Sequence, residues 1–160
     1  MIMPLTLRCA QPEDAAFLFD LYASTRAEEM AAWGWDAAQQ QAFLKFQFTA
    51  QQQHYESLEP EPDQQIVLRD DRAIGRLIVV RGEQEILLAD IALLPEYRNA
   101  GIGTQLIQGL QAKAAQANNQ VRLHVEKSNR ARRLYERLGF QIVGDAGMHW
   151  QMEWHPTDRV

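Results

Sequence analysis

The chain is expected to fold as a mixed α/β domain, one sheet with helices on both faces, in the order β-α-α-β-β-β-α-β-α-β-β. Three observations lead there. Its 160 residues are 46% hydrophobic and 23% charged with one cysteine, the profile of a single globular domain over residues 1–160. Such a chain can bury roughly 70% of its unfolded surface without disulfides or a structural metal. Apolar positions switch along the chain between a period of two and a period near 3.6, the marks of strands and helices. No internal repeat interrupts the pattern, and no linker is long enough to separate domains.

The first strand is Leu5 to Cys9, where Leu5, Leu7 and Cys9 alternate with Thr6 and Arg8; Cys9 reads as a small buried hydrophobe. Pro12, Glu13 and Asp14 suit a helix start, and Phe17, Leu18, Leu21 and Tyr22 form its buried stripe. Glu28 to Trp35 is read as the connection to a second helix. Asp36 with Gln39 makes a capping box for that helix, which runs to about Tyr55 with solvated Gln39–Gln41 and Gln51–Gln53 tracts. After a proline-bearing loop, Gln65 to Arg69 and Ala73 to Val80 form a hairpin about Asp70-Asp71-Arg72, and a third β-rich run, Glu85 to Leu94, stops at Pro95. A helix over about Gly103 to Asn118 presents Leu106, Ile107, Leu110 and Ala114 on one face. A strand at Val121 to Val125 and a helix over Asn129 to Leu138, ended by Gly139, come next; strands near Phe140 to Val143 and Met148 to Trp154 complete the order.

Charge is segregated. Residues 1–89 carry 7 basic and 14 acidic side chains, and residues 90–140 carry 8 and 4, within a chain of net charge −5. An acidic protein with a locally basic stretch suits a compact polyanionic ligand and argues against nucleic acid, although Arg130, Arg132, Arg133 and Arg137 also read as the solvated face of one helix. With Cys9 alone, no intrachain disulfide or Cys/His zinc pattern is available, which fits a reducing compartment. The N-terminus lacks the basic and apolar regions of a signal peptide, and no apolar run spans a bilayer. A cytoplasmic location without membrane contact is the expectation.

The most informative stretch runs from Ile91 to Thr104, a strand, a tight glycine loop and a helix start. Gly101 and Gly103 can take positive φ and admit a ligand to the main chain, so the amides from Asn99 to Thr104 can converge on an anion. No GK[ST] follows, and Leu106 stands where a dinucleotide fingerprint needs a small residue. Some thirty residues later comes Asn129-x-Ala131-x-x-Leu134-Tyr135-x-x-Leu138-Gly139-Phe140. With Arg98-x-x-Gly101-x-Gly103, this pair of motifs closely resembles the GNAT superfamily of acetyl-CoA-dependent N-acetyltransferases. The resemblance is strong over Glu85 to about Trp154, and the element order of residues 1–84 agrees with it.

The resemblance implies a GNAT-type mixed, mostly antiparallel seven-stranded sheet flanked by four helices. It implies that the CoA pyrophosphate is bound by Arg98, Asn99, Ala100, Gly101, Ile102, Gly103 and Thr104, largely through backbone amides. The pantetheine arm would pair with the main chain of Ile91, Ala92 and Leu93 as an added strand. Asn129 matches the asparagine that bonds pantetheine. Its spacing to the tyrosine is six residues where many members have seven, which leaves Ser128 in the other register, and Asn129 also suits a helix cap. Tyr135 matches the tyrosine beside the thioester sulfur, yet its spacing with Ala131, Leu134 and Leu138 also reads as core.

Transfer to an amine needs a group to take the amine's proton, since an alkyl amine of pKa about 10.4 is protonated at neutral pH. Leu87 stands where several members carry a glutamate, so Asp90 is the nearest acidic candidate on that strand, as base or amine ligand; orienting a sheet bulge is its structural alternative. His124 faces away from Leu123 and Val125 and is a structural residue or a proton relay. The implied reaction is direct acetyl transfer from acetyl-CoA to a primary amine of a small molecule or peptide, with no metal and no covalent enzyme intermediate. Glu28 to Trp35 would read a cationic or aromatic acceptor, while Trp33 and Trp35 are equally read as core or as contacts of a homodimer. A non-catalytic acyl-CoA-binding module, which needs neither Asp90 nor Tyr135, and a nucleotide-binding protein of another fold are the competing readings.

Overall fold

The computed structural model describes residues 4–156. Its elements are β1 (Leu5–Cys9), a 3-10 turn (Pro12–Asp14), α1 (Ala15–Ala31), α2 (Ala37–Ser57), β2 (Asp63–Arg69), β3 (Arg72–Arg81) and β4 (Glu85–Leu93). A second 3-10 turn (Pro95–Tyr97) leads to α3 (Ile102–Gln116), β5 (Gln120–Glu126), α4 (Ala131–Arg137), β6 (Gln141–Asp145) and β7 (His149–Trp154). The strands form a seven-stranded mixed sheet in the order β1-β2-β3-β4-β5-β7-β6, the element order and mostly antiparallel character expected. By contacts the chain divides into two compact units, one of the residues up to Leu77 with Ile91–Tyr97, the other of Ile78–Asp90 with the residues from Arg98.

In the first unit β1 pairs antiparallel with β2, from Leu5 opposite Arg69 to Cys9 opposite Gln65. The β2–β3 turn places Asp70 at φ 52° and Asp71 at φ 63°, the pair of left-handed residues that a two-residue hairpin requires. Arg8 closes a bidentate pair with Asp14 at 2.8 and 2.9 Å, and Gln11 N donates to the same carboxylate at 2.8 Å. This holds the end of β1 against the first turn before α1. Tyr22, Met30 and Leu44 form the core between α1 and α2, with Phe19, Phe43 and Phe48 against it.

Four expectations change here. Glu28–Ala31 belong to α1, which runs on through a stretch without Gly or Pro until Gly34, at φ +69°, ends the turn beyond it. Phe17 is half-buried while Leu18, Leu21 and Tyr22 are buried. Cys9 is exposed: alternation along an edge strand says which side chains share a face, not which face is covered. Gln51 is only partly exposed, and its Oε1 accepts from the guanidinium of buried Arg76 at 2.9 Å. The capping box is as expected: Asp36 accepts from Gln39 N at 2.8 Å and Gln39 accepts from Asp36 N at 3.1 Å.

The second unit is built on α3. Leu106, Ile107, Leu110 and Ala114 are buried with Val121, Leu123 and Val125 of β5, Met152 of β7 and Phe140. β5 pairs antiparallel with β7 from Val121–Trp154 to Glu126–His149, and β6 pairs β7 with a register shift between Ile142 and Gly144. Gly139, at φ +95°, ends α4 as the sequence implies. β4 pairs β5 in parallel from Glu85–Gln120 to Leu88–Leu123, while β5 itself continues to Glu126. The ladder between them is therefore four residues long.

Candidate active site

Within the second unit, the chain enters α3 through a turn with two left-handed residues, Asn99 at φ 60° and Gly101 at φ 82°. Gly101 is the N-cap of α3, and the first helical bond runs from Gln105 N to Gly101 O at 3.1 Å. The amides of Ile102, Gly103 and Thr104 thus precede any i→i−4 partner and point out of the helix end, where its dipole is positive. That geometry fits a phosphate-bearing ligand such as a CoA pyrophosphate. One reading is corrected. Gly103 does not adopt positive φ; it lies within α3, and a Cβ added there would meet only Leu134 Cδ2, at 3.7 Å. The second left-handed residue is Asn99, whose side chain tolerates that region better than most. Ile102 is buried, so within the loop it contributes main chain.

The same unit carries Asp90, Asn129 and Tyr135. Asn129 Oδ1 accepts from Ala131 N at 2.8 Å, a local turn just ahead of α4, whose N-cap is Arg130 and not Asn129 as expected; Asn129 is an exposed residue. α4 begins at Ala131, two residues later than expected. Tyr135 is buried in α4; its ring centroid lies 5.8 Å from that of Phe140 and its carbonyl accepts from Phe140 N at 3.0 Å. Burial, and after it the negative charge of Asp90, push the Tyr135 phenol up to about 12. Asp90 and Tyr135 therefore feel each other, which neither position in sequence reveals. His124 is exposed, and partial desolvation with Arg122 and His149 nearby holds its pKa below the ordinary value. It is neutral near pH 7. Gly139 abuts Trp154, and Lys127 spans Asp145 at 2.7 Å and the Trp150 ring at 4.3 Å.

Within the first unit, Ile91, Ala92 and Leu93 end β4 and are half-buried. Leu94 N donates to Ile74 O at 2.8 Å. Tyr97 ends the second 3-10 turn, accepts a hydrogen bond from Arg72 and has the Arg69 guanidinium 6.0 Å from its ring centroid. Trp33, Trp35 and Phe43 form an aromatic corner with centroids 5.1–5.5 Å apart. Trp33 is 42% and Trp35 38% exposed, so neither is core. The rings pack on one another and leave only outer faces to a visitor. Glu29 is engaged with Arg26 at 2.9 Å. A separate cavity of about 490 Å³, lined by Cys9, Leu18, Phe48, Gln52, Glu56 and Glu61 among others, contains none of the expected site residues.

Among the described residues no helix is long and apolar enough to cross a membrane. The family described as an acetyltransferase (GNAT) domain matches residues 61–142, a span holding both the glycine loop and Asn129–Phe140. Among solved structures, the fold matches the PaiA N-acetyltransferase of Thermoplasma acidophilum in complex with coenzyme A, at 18% identity and TM-score 0.71, over 96% of this chain and 99% of that one. It also matches the ribosomal-protein-S18-alanine N-acetyltransferase of Escherichia coli, at 18% identity and TM-score 0.65, over 98% and 97%. An acetyltransferase of Thermus thermophilus matches at 17% identity and TM-score 0.70, over 96% and 98%. At these identities the likeness is one of fold. No curated protein matches the sequence.

Proposed function

The chain belongs to the GNAT acetyltransferase family, and from that premise we propose that it transfers the acetyl group of acetyl-CoA directly to a primary amine of a small molecule or peptide, as one domain over residues 1–160 in the cytoplasm. The observation that carries the reading is the entry to α3: left-handed Asn99 and Gly101 ahead of three amides without helical partners. Arg98, Asn99, Ala100, Gly101, Ile102, Gly103 and Thr104 hold the pyrophosphate, mainly through main chain. Ile91, Ala92 and Leu93 pair with the pantetheine arm, and Asn129 bonds it through its exposed side-chain amide. Acetyl-CoA supplies an activated thioester.

The chain's own residues then move protons. Asp90 takes the proton that keeps the amine from attacking. Tyr135 stands by the departing sulfur. A phenol held up at about 12 facing a thiol, the stronger acid of the two, is a poor outright acid. Tyr135 therefore acts first as a neutral hydrogen-bond donor to sulfur as charge develops there, and delivers its proton only as the C–S bond breaks. Its raised pKa keeps it protonated throughout the neutral range.

The acceptor is cationic, supported by the acidic balance of residues 1–89 and by exposed Glu28 on α1. Acetyl-CoA at about 100 times its dissociation constant should stabilise the protein by about 2.7 kcal/mol, a rise of a few degrees in Tm. A panel of primary amines assayed by CoA-thiol release should contain at least one acceptor. An unchanged Tm at saturating acetyl-CoA overturns the binding assignment.

A further inference from the structure

Gly75 lies in β3 and is buried, with an ordinary backbone conformation, so its lack of a side chain answers a demand for space and not for φ. A Cβ built there would overlap the carbonyl oxygen of Ala92 and stand 2.8 Å from Leu93 Cδ2 and 3.3 Å from Leu93 Cα. The obstructing oxygen is main chain, and it cannot swing aside as a side chain does. A Cβ projects perpendicular to its strand, so the Ala92 carbonyl is tilted out of the ladder plane onto that face. The hydrogen bonds explain why. At one end of the β3–β4 pair Gly82 N donates to Glu85 O at 2.8 Å, and at the other Leu94 N donates to Ile74 O at 2.8 Å. From Gly82 to Ile74 the chain takes eight steps, and from Glu85 to Leu94 nine. One extra residue is housed in β4, a β-bulge, and Gly75 is where it finds room.

We propose that Gly75 is a positioning residue for acetyl-CoA, holding the β4 main chain at Ile91–Leu93 in the bulged path that meets the pantetheine arm. The inference rests on the assignment of that arm to Ile91–Leu93 under the acetyltransferase reading. It predicts a loss confined to the arm. Gly75→Ala should raise the KM for acetyl-CoA about tenfold or more while kcat at saturation stays within about twofold, the pattern of lost ground-state binding. Binding of acetyl-pantetheine should weaken in parallel, and binding of adenosine 3′,5′-bisphosphate should not change, a split that general destabilisation would not produce. Gly109→Ala is the control, since nothing lies within 4 Å of its added Cβ.

Wild-type protein that fails to bind acetyl-CoA sinks the parent reading. Wild-type binding with an unaltered acetyl-pantetheine affinity in Gly75→Ala sinks the positioning role alone. Should Gly75→Ala not fold, NMR of the wild type decides: acetyl-pantetheine should shift the Ala92 and Leu93 amide resonances, and unmoved resonances at saturation overturn the proposal.

Discussion

At Tyr135 the burial that makes the residue a core aromatic also sets its chemistry. Removing its hydroxyl leaves the ring against Phe140, so Tyr135→Phe should keep the fold and the acetyl-CoA affinity. Turnover should fall by about 10²- to 10⁴-fold under conditions where chemistry limits the rate, the usual worth of a positioned proton donor. Unchanged single-turnover rates would return Tyr135 to a packing role. A second residue-scale prediction concerns Asp14, whose carboxyl the Arg8 hydrogen bond and the Gln11 amide lower from 3.8 to about 2. A depressed carboxyl contributes stability above its ordinary value and loses it as pH falls through the folded one. Urea melts should therefore show wild type losing stability between about pH 4 and pH 2, and Arg8→Gln losing much less. Equal acid sensitivity in the two proteins would show that the pair is not responsible. The residue types at these sites were legible, because motif spacing singles out Tyr135 and Asn129. The influence of Asp90 on Tyr135 was not, because 45 residues of chain separate them.

The two glycines of the loop are not equivalent, and the difference belongs to the element they start. Gly101 sits at φ 82° with open space about its Cβ position, so any substitution there meets backbone strain and not a clash. Gly103 is helical with room to spare. Gly101→Val should lower both stability and acetyl-CoA affinity, the strain being about 1–2 kcal/mol or more for a β-branched side chain. Gly103→Val should lower the melting temperature less than Gly101→Val, because its Cβ makes only ordinary contact with Leu134 and the backbone is unstrained, and should weaken acetyl-CoA by crowding the loop. Paired thermal melts with and without acetyl-CoA check both, and equal behaviour of the two variants contradicts this account of the loop. The elements themselves were legible wherever local chemistry sufficed: the Asp70-Asp71 turn, the Asp36 cap and the Gly139 stop stand where the residue types put them. Glu28–Ala31 carry no breaker, so α1 runs on through them. A bulge in β4 was legible at Asp90 as an alternative, but its place against Gly75 at Ala92–Leu93 was not, because pairing with β3 sets it.

Across the whole molecule the segregation of charge makes a claim about the acceptor. Small di- or polycationic amines should be acetylated with higher kcat/KM than neutral or anionic amines of similar size, and the preference should shrink as salt screens it. Anionic amines winning such a panel would refute the electrostatic argument while leaving the family assignment intact. The overall fold was legible because alternating periods place each strand and helix. The four-residue length of the β4–β5 ladder was not, because both strands read as continuous β-rich runs well beyond it.

That short parallel ladder has a kinetic side. Glu85–Leu88 cannot meet Gln120–Leu123 until the whole crossover through α3 has closed, and so short a register repays little of the closure entropy. The β5–β7 antiparallel pairing, with six residue pairs, has more to hold it. In refolding, the β4–β5 amides should acquire protection from exchange after those between β5 and β7, and under native conditions they should exchange through smaller openings. The opening between β4 and β5 is then a place where the chain breathes as well as a place where the register ends.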